Sequence, residues 1–135
     1  MSRVHGKDTK PEIIVRSVIH RMGYRFRLHV RDLPGRPDIV LPRHRKVVFV
    51  HGCFWHGHQG CARATLPDTR KSFWSKKLAD NAARDARNLR AVRRKGWRAL
   101  VVWECDTRRP EKLEGKLRRF LEGGKTLVLR GKVRP

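Results

Sequence analysis

Apolar positions along the chain fall into segments whose spacing switches between helical and extended periods. Ile14, Val15, Val18, Ile19 and Met22 make one stripe at helical spacing. Ahead of them Thr9-Lys-Pro-Glu12 reads as a capping box, with Thr9 as N-cap and Pro11 in the first turn, and Gly23 is placed to end the helix in a left-handed conformation. Tyr24, Phe26, Leu28 and Val30 then alternate with Arg25, Arg27 and His29, which predicts a half-exposed strand. Beyond the turn at 32–37, Asp38–Leu41 reads as a short strand. Residues 42–45 turn the chain into Lys46–His51, apolar on both faces as in a central strand covered from both sides.

Residues 52 to about 68 form a loop rich in Gly, His and Cys. A long helix is predicted from near Arg70 to Lys95, with Phe73, Trp74, Leu78, Ala82, Ala86, Leu89 and Val92 apolar and Gly96 as the stop. Trp97–Cys105 reads as another buried strand, and a last helix starting near Pro110 buries Leu113, Leu117, Phe120 and Leu121. The tail over 124–135 reads as either an edge strand at Thr126–Leu129 or a flexible segment. The order α-β-β-β-α-β-α predicts an antiparallel meander, a helical crossover to a fourth strand, and a mixed sheet sandwiched by helices. At about 150 residues per domain, residues 1–135 make a single domain.

Charge narrows the class of partner. Lys and Arg number 34 against 12 Asp and Glu, a formal net charge of +22. So large an excess repels itself unless a polyanion supplies counter-charge, and nucleic acid is the commonest one. No apolar run approaches the ~18 residues of a spanning helix and no apolar signal core opens the chain, so no membrane association is expected. The odd set Cys53, Cys61 and Cys105 argues against a disulfide framework and for free thiols or metal ligands in a reducing compartment.

Two groups of residues carry candidate chemistry. Asp38 opens one hairpin strand and His51 closes its neighbour, so antiparallel pairing brings them to one edge of the sheet, where a carboxylate, an imidazole and an exposed carbonyl suit Mg²⁺ and proton transfer. The bland alternative is a turn-capping Asp and a His satisfied by a carbonyl. Cys53, His56, His58 and Cys61 lie within nine residues, and Cys105 ends a strand that can sit beside them. Three thiols and one imidazole would make a closed structural zinc site, although spacing alone leaves His56 and His58 both feasible. Phe54 and Trp55 fall inside that loop, where a metal would force one or both rings outward for stacking on bases. Trp74 fits either that role or the core, and Phe73 reads as a core residue. Lys77, Asn81 and Asp85 share a helix face; if it faces the histidines, Asp85 would orient an imidazole.

Leu33-Pro-Gly-Arg-Pro-Asp-Ile-Val40, Val48-Phe-Val-His-Gly-Cys-Phe-Trp-His56, Phe73-Trp74, Asn81, Arg84-Asp85, Gly96-Trp-Arg98 and Val102-Trp-Glu-Cys105 together resemble the very short patch repair (Vsr) endonuclease family, over about residues 1 to 122. That family belongs to the restriction-endonuclease-like PD-(D/E)XK superfamily, an α/β three-layer fold whose core order agrees with the one above. The resemblance implies a Mg²⁺-dependent, strand-specific nick 5′ to the mismatched T of a T·G pair in double-stranded DNA, as left by deamination of 5-methylcytosine. It implies a metal-binding Asp38 with the Val50 backbone carbonyl, His51 and His56 in the active site with His56 as general acid/base, Glu12 nearby, and Zn²⁺ on Cys53, His58, Cys61 and Cys105. Phe54, Trp55 and Trp74 match aromatics that wedge into DNA, and Met1 falls where the family inserts a Met from the other groove.

The resemblance further implies a monomer in a bacterial cytoplasm, associated with the nucleoid and working with mismatch-repair proteins or a cytosine methylase. Three departures stand out: Val50 replaces a common Thr, one extra residue separates His58 from Cys61, and the segment preceding the inserted Met is missing, which would weaken that contact. The competing readings are a restriction-like nuclease of other specificity and a non-catalytic zinc-stabilised DNA-binding module.

Overall fold

A computed structural model describes residues 8–129. The helix α1 spans Lys10–Arg21, and the Oγ1 of Thr9 caps it by accepting the Glu12 N–H at 3.4 Å. The Glu12 carboxylate reaches back to the N–H of Asp8 instead of that of Thr9, so the expected capping box closes one residue early. Gly23, at φ +92°, ends the helix as its spacing predicts.

The strands β1 (Arg27–Leu28), β2 (Ile39–Leu41), β3 (Lys46–His51) and β4 (Arg98–Trp103) form one sheet in the order β1-β2-β3-β4. The first three pair antiparallel and β3 pairs with β4 in parallel, across a crossover through α2 (Lys71–Arg94). α3 (Pro110–Leu129) follows a 3₁₀ turn at Glu104–Arg108. This is the mixed, helix-flanked α/β sheet expected from the order of elements.

The layers follow from the alternation of side chains along the strands. Ile39, Leu41, Val48 and Val102 point to one face and meet Val15, Val18 and Ile19 of α1 and Leu113, Leu117 and Leu121 of α3. Val40, Val47 and Phe49 point to the other and meet Val92 of α2. Lys46 is the one buried cation in this sheet; its Nζ donates to the carbonyls of Phe120 and Leu121, both at 2.8 Å, tying β3 to α3.

Four expectations are corrected. The alternation of residues 24–30 persists in their burial, but only Arg27 and Leu28 pair, because His29 turns to φ 59° and β2 offers a short edge. β4 stops at Trp103 because the Asp106 carboxylate takes the Trp103 N–H at 2.9 Å and folds Glu104 and Cys105 into the turn. Thr126–Leu129 continue α3 instead of adding a strand, since a helix already nucleated propagates at one bond per residue. On α2 only Leu78 and Val92 are buried while Ala82 and Ala86 are exposed, so the helix touches the sheet along a narrow line. Met1 lies outside the described residues.

Candidate active site

The hairpin register creates the site. Ile39 pairs with Val48, so Asp38 sits just past the ladder; its N–H donates to the Val48 carbonyl at 3.1 Å and its Oδ2 accepts the Val50 N–H at 2.6 Å. Gly35, at φ +77°, lets the preceding loop press onto α2, where a Cβ would lie 2.9 Å from the Cβ of Asn88. A cleft of about 410 Å³ opens there, and Asp38, Val50, His51, His56, Asp85 and Glu12 all line it. Burial pushes the Asp38 carboxyl up to about 7; the Val50 N–H pulls it down and the Glu12 carboxylate adds to the rise. The buried Asp38 carboxyl and the Glu12 carboxylate on the same cleft are hard oxygen donors of the kind a divalent cation favours, so Asp38 fits magnesium chemically.

Across the cleft the two imidazoles lie face to face, His51 on His56, with ring centroids 3.9 Å apart and planes 8° from parallel. Asp85 Oδ2 holds His56 Nδ1 at 2.6 Å. Burial, then the neighbouring His56, pushes His51 down to about 4. His51, His56 and Asp85 have ligand atoms within 4.8 Å of one another. Stacked rings, however, aim their in-plane lone pairs along parallel planes, not at one point, which suits proton transfer better than chelation. Asn81, one turn before Asp85, donates to the Trp55 carbonyl at 2.9 Å, so the stripe on α2 grips the loop twice; Lys77 stands exposed another turn away.

Cys53, His58, Cys61 and Cys105 bring four ligand atoms within 4.8 Å of one another, with Cys53 fully buried. The Cys105 Sγ lies 3.5 Å from His58 Nδ1, close to the roughly 3.5–3.8 Å edge of a tetrahedron around zinc. The Cys105 N–H points at Cys53 Sγ, 3.4 Å away, as it would at a thiolate. The donor set therefore fits zinc, and geometry selects His58, since His56 is committed to Asp85. Backbone bonds from His58 to Cys53 (2.9 Å) and from His56 to Gly52 (3.2 Å) wind the loop between the cage and the cleft.

The aromatics differ from expectation. Phe54, Trp55 and Trp74 do not stand out singly; they pack edge-on, with centroids 5.2 to 5.7 Å apart, because free rings satisfy each other's quadrupoles. Phe73, expected in the core, is 45% exposed. Sequence reasoning also passed over Glu104, which lines the cleft, and Trp103, whose ring stacks on His58 at 4.0 Å and meets His51 edge-on at 5.3 Å. Trp103 ends an apolar strand and Glu104 follows it at the site, and that position is the available signal.

The profile of the DNA mismatch endonuclease Vsr family matches residues 1–63. The chain is 52% identical over 122 residues to the type II nicking enzyme V.XorIIP of Xanthomonas oryzae, covering 90% of this chain and 89% of that one. It is 42% identical over 113 residues to the DNA mismatch endonuclease Vsr of Escherichia coli, covering 84% and 72% respectively. Among solved structures the catalytic domain of the homing endonuclease I-Bth0305I shares the fold, with a TM-score of 0.59 at 18% identity over 84% of this chain and 94% of that one.

Proposed function

The chain belongs to the Vsr family of DNA mismatch endonucleases, and from that premise we propose that it nicks one strand of duplex DNA 5′ to the mismatched T of a T·G pair, using magnesium at Asp38 and the Val50 carbonyl and zinc in the Cys53, His58, Cys61 and Cys105 cage. It is a DNA endonuclease, hydrolysing phosphodiester bonds, with no helix among the described residues long and apolar enough to cross a membrane. The observation that carries the finer reading is the convergence on one cleft of Asp38, His51 and His56, with Asp85 bonded behind His56 and the ring cluster of Phe54, Trp55 and Trp74 alongside.

Asp38 and the Val50 carbonyl would hold magnesium, which would supply charge neutralisation at the phosphate. The chain's own groups do the rest. Asp85, bonded to Nδ1 of His56, fixes the tautomer that leaves Nε2 facing outward to accept or give a proton at the scissile phosphate. His51, packed flat on His56 and edge-on to Trp103, keeps that ring from rotating. Glu12, at the start of α1, adds a further carboxylate to the cleft wall. The rings of Phe54, Trp55 and Trp74 separate from one another and insert beside the mismatch, favoured where a wobble pair is cheaper to unstack than a matched one. The cage holds the loop that carries two of those rings. The same reading makes the enzyme a monomer at the nucleoid of a bacterial cytoplasm, downstream of a cytosine methylase or beside mismatch-repair proteins.

The test is a panel of end-labelled duplexes, identical except for T·G, T·A, C·G and other mispairs, incubated with and without Mg²⁺. The expected product is a single nick 5′ to the T of T·G, leaving a 5′-phosphate, only when Mg²⁺ is present. Equal cleavage of the matched duplex would point to a restriction-like nuclease, and binding without any cleavage to a non-catalytic module.

A further inference from the structure

The ring cluster does not end with the three aromatics assigned to the wedge. Phe73 and Ile13, each 45% exposed, are the exposed large hydrophobic side chains among the described residues. Phe73 meets Trp74 edge-on at 5.2 Å and 80°, which joins it to Phe54 and Trp55. Its face carries the guanidinium of Arg70, 4.3 Å from the ring centroid. Arg70 is the residue just before α2, in a left-handed conformation at φ 57°, and lies three residues before Phe73, so the backbone turn throws its side chain back across the ring.

Arg70 is exposed and forms no ion pair with a carboxylate among the described residues. A guanidinium seated over an aromatic ring loses much of its side-chain freedom while its N–H groups remain available. That is the geometry for gripping a phosphate with two parallel hydrogen bonds, and most of the ordering entropy has been spent before DNA arrives. An exposed phenylalanine gains nothing from water, and as a platform for this arginine it has a use.

We propose that Arg70 and Phe73 form one DNA-positioning unit in which Phe73 holds the Arg70 guanidinium so that it grips a backbone phosphate next to the aromatic wedge. The proposal rests on the wedge reading for its place along the DNA, but the phosphate contact is predicted on any duplex. Arg70 touches no reacting atom and is a positioning residue.

Fluorescence anisotropy with T·G and T·A duplexes, from about 50 to 200 mM salt, tests it on the full chain and on R70Q, R70K, F73L and the R70Q/F73L double variant. R70Q is expected to weaken both duplexes alike, by about 5- to 10-fold near 0.15 M salt, and to reduce the slope of log affinity against log salt by about 1. R70K should keep the slope yet bind about threefold more weakly than wild type, because an ammonium cannot lie flat and donate in a fork. F73L should weaken binding, and the double variant should bind no more weakly than R70Q. Single-turnover nicking at saturating T·G duplex should stay within about twofold of wild type. An unchanged salt slope in R70Q, additive losses in the double variant, or a loss confined to the T·G duplex would each overturn the proposal. A wild-type protein without T·G preference would instead sink the wedge reading, and a uniform loss in R70Q would still stand.

Discussion

The indole of Trp103 lies flat on the imidazole of His58, with centroids 4.0 Å apart and planes 6° from parallel, while its edge meets His51 at 5.3 Å. One side chain therefore bridges the four-ligand cage and the cleft. If zinc fixes His58, it also fixes the ring that His51 meets, with His56 stacked in turn on His51. Structural zinc is worth roughly 10–16 kcal/mol of apparent binding free energy, comparable to the whole stability of a small domain at about 5–15 kcal/mol. A zinc-selective chelator, applied with Mg²⁺ kept saturating, is expected to lower the thermal midpoint and abolish nicking together. Removing Mg²⁺ alone should abolish nicking and leave the midpoint in place. A protein that melts unchanged after zinc extraction would show that the four ligands hold no structural metal.

Asp85 stands behind His56 at 2.6 Å and lines the same cleft. Asparagine at that position keeps the shape but can present its amide N–H₂ to Nδ1, which selects the wrong tautomer. Asp85→Asn is expected to slow single-turnover nicking by roughly 10- to 100-fold, the usual cost of losing a group that orients a histidine, with duplex affinity unchanged. A full-rate variant would reduce the bond from Asp85 to His56 to a structural contact.

Much of this was legible in the sequence, and for identifiable reasons. Lys46–His51 is legible with its bounds because a central strand buried on both faces leaves an unbroken apolar run between a turn and a ligand loop. Asp38 and His51 were brought to one cleft by register alone. The losses occur where a single tertiary bond overrides local pattern. The strand after Trp97 was carried too far because nothing in Glu104-Cys-Asp106 announces that the Asp106 carboxylate folds back onto the Trp103 N–H. Phe73 was placed in the core because hydrophobicity says nothing of an arginine three residues earlier that covers its ring. The contact of Trp103 with His58 of the loop and His51 at the end of β3 is equally invisible, since it depends on where β4 docks.

Asp38→Ala separates binding from chemistry. The substitution removes a carboxylate whose burial already pushes it up to about 7 and which opposes the approach of a phosphate. It orphans the Val50 N–H, which costs about 1–3 kcal/mol when unsatisfied but faces an open cleft where water can reach it. Duplex affinity in an electrophoretic shift without Mg²⁺ is expected to equal or exceed that of wild type, while nicking falls below detection. Mg²⁺-dependent nicking at the wild-type rate would remove Asp38 from the site.

Trp55 contributes both its ring to the edge-on cluster and its carbonyl to Asn81. Trp55→Ala keeps the carbonyl bond and removes the ring alone. A stacked ring is worth roughly 1–3 kcal/mol per base, so the T·G over T·A preference in binding is expected to fall by about 5- to 100-fold, with little change on matched DNA. An unchanged preference would assign the ring a purely structural part in the cluster.

Asp106 tests whether the turn that aims Glu104 and Cys105 is also a stability element. Its carboxylate is 6% exposed as a residue, takes the Trp103 N–H at 2.9 Å and the Lys116 ammonium at 2.8 Å, and so joins the end of β4 to α3. Asp106→Ala orphans the Trp103 N–H and leaves Lys116 without its buried partner. Losing a buried charge-assisted bond while stranding its donors costs about 2–4 kcal/mol. Urea unfolding of the zinc-loaded protein is expected to show a stability lowered by that amount, read as a lower midpoint at an unchanged slope. Lys116→Met, which removes the ammonium yet keeps an apolar stem over the turn, should cost less than Asp106→Ala, because the Trp103 N–H keeps its acceptor. Equal losses from the two variants would mean that the ion pair, not the bond to Trp103, holds the turn.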